Sequence, residues 1–193
     1  MGISTAKTLI IGATLLFAIQ MIIAGSAAPE GQAINRVSDL GVIEQSRPWF
    51  ISALLLGGIS TYIYLRFYME KRFLVSSLVR GLIIGAVVLQ LLFAFVPADP
   101  DRELFNVLHL GSVLVWAHLL GMAIILFTLN NKPNLPKDIS SIYFLIGMGF
   151  VYALGLIAIA SFEDIVWVQI VVFISVLYWL NRLSFAGNSG GTR

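Results

Sequence analysis

The chain has 193 residues, 59% of them hydrophobic and only 11% charged, where a soluble domain carries about a quarter charged residues. With a mean hydropathy of +0.92, that composition excludes an ordinary soluble globule and describes a chain dissolved largely in lipid. A net charge of +2 without any basic run excludes a nucleic-acid partner, and the absence of cysteine excludes disulfides, thiolate metal sites and cysteine nucleophiles.

Six apolar segments follow one another at residues 8–27, 48–68, 74–96, 104–129, 141–161 and 165–183. Each is near the ~20 residues a bilayer requires of a helix. Helices are the economical reading, because in hydrocarbon every backbone polar group must be satisfied within its own segment. The fold expected is therefore all-α: a polytopic membrane protein with six transmembrane helices in one bundle over residues 1–185, and a disordered tail at 186–193.

In the first segment Lys7, an apolar run and the small residues 24–28 also fit the outline of a cleavable signal peptide. The run is long for such a signal, so a retained helix is expected. The start MGISTA lacks the Ser or Thr that myristoylation requires at position six. The loop from Ala28 to Arg47 is turn-like, and its VSDLG stretch is suited to a short helix capped by Ser38 or Asp39. In the third segment, Gly81 and Gly85 have the spacing of a close-packing helix face. Pro97 ends that segment, and Pro100 pushes Asp99 toward an extended backbone. Asp99 or Asp101 can then charge-match the start of the fourth segment. The NNKPNLPKD stretch is a proline-broken connector.

Orientation comes from the basic residues. With the N-terminus inside, the inner side collects Lys7, Arg66, Lys71, Arg72, Lys132, Lys137, Arg182 and Arg193, whereas the outer side holds Arg36, Arg47 and Arg102. By the positive-inside rule both termini are cytoplasmic and the location is the cell membrane. Trp49 and Trp167 open outer helix ends, while Tyr64, Tyr68, Tyr143, Tyr178 and Trp179 fall near the inner interface, where amphipathic rings prefer to sit.

The ionisable residues inside the membrane are His109, His118 and Arg80, and such residues are functional candidates because they are costly to keep there. Nine residues at about 100° each put the two histidines on opposite faces of one helix, so they cannot share a metal or a haem. No metal and no cofactor are expected, with a haem on a single histidine as the remoter alternative. His109 shares its face with Asn106, Ser112 and Trp116, and Gln90, Gln169 and Gln20 lie at a similar depth. These residues can line a polar cup open to the outside, with Asp39 and Asp99 above it. The plainer reading, which carries more weight, makes the glutamines and His109 ties between helices, each worth about 1 kcal/mol. His118 falls on a seam with Gly111, Leu114 and Gly121, suited to a bond across a close helix contact. Arg80 has no acid at its own depth and is expected to reach water or a lipid phosphate.

Val37-Ser38-Asp39-Leu40-Gly41, Arg80-Gly81, and Phe95-Val96-Pro97-Ala98-Asp99 followed by His109 together resemble the domain-of-unknown-function 998 family of small prokaryotic six-helix membrane proteins. That family shows a Ser-x-Leu-Gly element after its first helix and a Phe-Pro-x-Asp turn about ten residues before a histidine. Here Val96 is inserted between Phe95 and Pro97. The resemblance implies that Asp39, Arg80, Asp99 and His109 belong to the family pattern and that His118 does not. It implies no agreed activity.

The function expected is that of a non-enzymatic membrane protein that binds lipid or a small apolar ligand, or serves as a subunit among other membrane proteins. Ligand contacts would come from Gln90, Asn106, His109, Trp116 and Gln169, and a lipid-phosphate contact from Arg80. One alternative is a lipid-headgroup hydrolase or transferase using His109 as acid/base with Asp39 or Asp99 orienting it. A second is a proton-coupled transporter whose polar path continues past His118.

Overall fold

The structure, a computed structural model, describes residues 2–31, 34, 37–96, 103–135, 140, 142, 143, 145–147, 149 and 166–186. These residues form an all-helical chain. α1 covers Ile3–Ser26 and is followed by a 3-10 turn at Val37–Gly41. α2 covers Arg47–Tyr64 and runs on through a π-helical turn, Leu65–Met69, into Glu70–Arg72. α3 is Ser77–Phe95 and α4 is Glu103–Asn131, closed by a 3-10 turn at Lys132–Asn134. The helical residues 140, 142, 143, 145–147 and 149 belong to α5, and α6 is Val166–Ala186. Among the described residues, four stretches, Ile3–Ser26, Arg47–Arg72, Ser77–Phe95 and Val107–Asn131, are long and apolar enough to cross a membrane.

α1 packs on α2, α2 on α3 and α3 on α4, while α6 meets α1 and the Val37–Gly41 turn. Where helices cross, small side chains let backbones approach: Ala6, Ala53 and Ala123 are completely buried, and Ala86 and Ala117 nearly so. Gly147 shows how tight one crossing is, since a Cβ there would lie 3.0 Å from the Gly121 carbonyl oxygen of α4. The outward surface is as apolar as the core, with Leu15, Ile22, Leu92, Val107 and Leu129 all exposed. That pattern suits a lipid surround, where close fit rather than escape from water holds helices together.

Helix ends follow local chemistry. Ser76 is extended and its hydroxyl accepts from the Val79 amide, 3.3 Å away, so α3 starts at Ser77 rather than at Leu74. Leu74 is held outside the helix by Asn131, whose side chain accepts from the Leu74 amide (2.8 Å) and donates to its carbonyl (3.0 Å). α3 ends at Phe95, and Val96 is extended (φ −103°, ψ 96°), as a residue before proline prefers. The VSDLG stretch is indeed a short helix, of 3-10 type. Leu40 and Gly41 are buried, and a Cβ on Gly41 would meet the Phe50 ring at 3.0 Å. Of the Gly81 and Gly85 pair only Gly85 is closely packed, against Leu119, while Gly81 faces open space. The turn at 97–102, most of the fifth apolar segment and the tail at 187–193 lie outside the described residues.

The aromatic girdle expected at the inner interface is largely not on the surface. Tyr64, Tyr68, Tyr143 and Trp179 are all at most 2% exposed, and only Tyr178 is open, at 41%. The polar tips of Tyr64 and Tyr68 bond to α6 rather than facing headgroups.

Candidate functional site

The groups assigned to one outer cup divide between two places. His109 is buried beside the end of α3, where its Nδ1 lies 2.6 Å from the Val96 carbonyl oxygen. That carbonyl belongs to the last turn of α3, whose oxygens have no helical partner of their own. His109 therefore closes the end of α3 from α4. Its ring meets Phe93 edge-on at 5.9 Å, and the other side of Phe93 meets Trp116 edge-on at 5.8 Å. Phe93 thus stands between His109 and Trp116.

Below Phe93, Gln90 donates from Nε2 to the Leu54 carbonyl on α2, at 3.0 Å. Gln90 and Trp116 line a cavity of about 30 Å³ with Phe17, Gly57, Ser60 and Thr61 among its other walls. Gly57 is needed there, since a Cβ would come within 2.9 Å of the Gln90 amide nitrogen. At one side Asn181 of α6 donates to Thr14 of α1, at 3.0 Å. A cavity of this size holds one or two water molecules; an apolar ligand of several heavy atoms does not fit.

Asp39 sits half-buried in the Val37–Gly41 turn, where its carbonyl accepts from the Val42 and Ile43 amides. Asp99 lies outside the described residues, as do the side chains of Asn106 and Gln169, whose backbones are helical in α4 and α6. His118 does not face a helix seam. It is exposed on α4 and its Nδ1 turns back to the Leu114 carbonyl at 2.8 Å, and nothing lies within 4 Å of a Cβ on Gly111. A polar path from His109 through His118 therefore has no support from this helix.

Arg80 has an acidic partner after all. Its Nε is 2.7 Å from Glu70, which also takes Arg66 at 2.5 Å. The linker Phe73–Ser76 folds Glu70 back beside the first turn of α3, which a count of depth along separate segments does not reveal. Both arginines are more than 40% exposed, so each pair is worth little by itself.

Another buried polar cluster among the described residues lies where the π turn of α2 meets the end of α6. The π turn of α2 stacks Tyr64 on Tyr68 with centroids 4.7 Å apart. Tyr64 shares a hydrogen bond with Ser184 at 2.8 Å, and Tyr68 donates to the carbonyls of Leu183 and Ser184. A row of rings continues through Phe73 and Phe127 to Trp179. Tyr143 Oη, Trp179 Nε1 and Arg182 Nε are buried there without a hydrogen-bond partner among the described residues. Trp179 and Arg182 share a helix face at i, i+3, which was the sequence signal for this cluster; assigning the rings to a lipid-facing girdle obscured it.

No family model, no curated protein and no solved structure matches the chain.

Proposed function

We propose that this is a protein of the cell membrane that crosses the bilayer six times with both termini cytoplasmic, and that it works without catalysis, by binding membrane lipid. The observation that carries the non-catalytic part is how the candidate acid–base and polar groups are used. His109 closes α3 from α4, Gln90 ties α3 to α2, and Arg80 ties α3 to the end of α2. Each bonds across elements, as structural contacts in membrane bundles do. Lipid is favoured because the outer surface is broadly apolar, while the cavity beside Gln90 and Trp116 is of water size. The charge count along the chain supports the orientation. Membership of the domain-of-unknown-function 998 family is proposed on the residues quoted above.

The test is purification from native membranes in mild detergent, followed by lipid extraction and native mass spectrometry. Lipid should stay bound at one or more molecules per chain through a detergent wash; a chain that emerges lipid-free and fully folded refutes the reading. Because the chain has no cysteine, single cysteines report topology cleanly. Gln45→Cys should label from outside intact cells, and Lys71→Cys only after permeabilisation.

A further inference from the structure

Among the described residues, Tyr143 Oη, Trp179 Nε1 and Arg182 Nε are buried at the Tyr64–Ser184 end without a hydrogen-bond partner, as Gln20 Oε1 and Ser46 Oγ are elsewhere, and the three together call for an acceptor. Trp179 is fully buried and Tyr143 nearly so, and buried donors in native structures almost always have a partner. The indole N–H and the guanidinium are donors only, and the phenol O–H is donor or acceptor. A partner for all three must therefore offer several acceptor atoms, and the arginine favours a negative one. The groups belong together: Trp179 and Arg182 lie one turn apart on α6, and Tyr143 of α5 is within electrostatic reach of Arg182, Tyr68 and Tyr178. Glu70 is already engaged by Arg66 and Arg80. Tyr64 and Tyr68 are bonded to α6, which fixes the frame around the site.

We propose that the end of the bundle between α5 and α6 binds a phosphate-type oxyanion, with Arg182, Tyr143 and Trp179 as its donors. A phosphodiester lipid headgroup and free phosphate share this chemistry. The headgroup case deepens the lipid-binding reading above and rests on it; the free-phosphate case does not.

The experiment uses the full chain in detergent, with phosphatidylglycerol, phosphatidylcholine or inorganic phosphate added separately. Retention is read by native mass spectrometry and protection by thermal unfolding. Wild type should retain phosphatidylglycerol about tenfold better than Arg182→Gln, the scale of losing one charge-assisted hydrogen bond. Tyr143→Phe, which removes only the hydroxyl, should weaken retention in the same direction. Phosphatidylcholine carries the same phosphodiester beside a choline cation, so it should be retained less than phosphatidylglycerol and its retention should fall in the same direction in both variants. Protection by millimolar phosphate alone, lost in Arg182→Gln, assigns the site to the free anion and still supports it. Equal retention and equal protection in wild type and both variants overturn the site while leaving general lipid binding intact. It is overturned too if Asp138→Asn lowers stability as much as Arg182→Gln, because the acceptor is then the chain's own carboxylate. Loss of all lipid from wild type, with phosphate protection preserved, refutes the lipid-binding reading and leaves the anion site standing.

Discussion

Gly147 offers the sharpest test of how α5 meets α4. A Cβ at this position would lie 2.6 Å from Ile125 Cγ1, 3.0 Å from the Gly121 carbonyl oxygen and 3.2 Å from the Ile125 amide nitrogen. The first contact is with a side chain that can rotate; the other two are with backbone and can be relieved only by moving α5 away from α4. Overpacking of this kind costs about 1–3 kcal/mol. Alanine recovers about 0.5–1 kcal/mol from its better helix propensity, so Gly147→Ala should destabilise by about 0.5–2 kcal/mol. At about 2–4 °C per kcal/mol for a chain of this size, its Tm should fall by several degrees. The assay is thermal unfolding in detergent followed by the fluorescence of the four tryptophans. Gly81→Ala is the control, since nothing lies within 4 Å of its Cβ; it should be neutral or slightly stabilising. Ile125→Ala in the Gly147→Ala background should recover only part of the loss, because the backbone contacts persist. A Gly147→Ala protein as stable as Gly81→Ala would refute the close crossing.

Further substitutions probe the other ties. Asn131→Ala removes both bonds to Leu74 and should cost about 1–3 kcal/mol, with faster proteolysis in the Phe73–Ser76 linker as a second readout. Gly57→Ala displaces the end of Gln90 from Leu54, so its propensity gain should be cancelled in wild type and recovered in Gln90→Ala; a double-mutant cycle should give a coupling of about 0.6–1.7 kcal/mol. Arg80→Ala should cost under about 1 kcal/mol and lose its effect in high salt, whereas Glu70→Gln, which strands both Arg66 and Arg80, should cost more.

Much of the architecture was legible because the bilayer constrains it so strongly. Apolar runs located α1 to α4 and α6, VSDLG located the short 3-10 turn, and Pro97 located the end of α3 within two residues. Boundaries failed where a side chain from elsewhere intervened: nothing local in Phe73–Ser76 announces that Asn131, 57 residues on, will hold Leu74 out of α3. The π turn at Leu65–Met69 was likewise invisible, since one extra residue per turn leaves no mark in an apolar run. Without it Tyr64 and Tyr68 read as two interfacial rings.

The histidines show what helical arithmetic can and cannot decide. A spacing of nine residues fixes the angle between His109 and His118, and the structure keeps them apart as that angle requires: one is buried, the other exposed. Arithmetic does not say which face turns inward, because α4 is apolar on nearly every side and lipid and protein interior are equally good solvents for leucine. What decides is the supply of unpaired backbone at a helix end. The last carbonyls of α3 need a donor, and His109 is where one can reach Val96. The same reasoning, applied to donors that find no such carbonyl, leads from the outer histidine to Tyr143, Trp179 and Arg182. Gln20 Oε1 and Ser46 Oγ are also buried without a partner among the described residues, but only at Tyr143, Trp179 and Arg182 do several such groups, one of them cationic, occur at one end of the bundle, and that makes this end the strongest pointer to a bound acceptor.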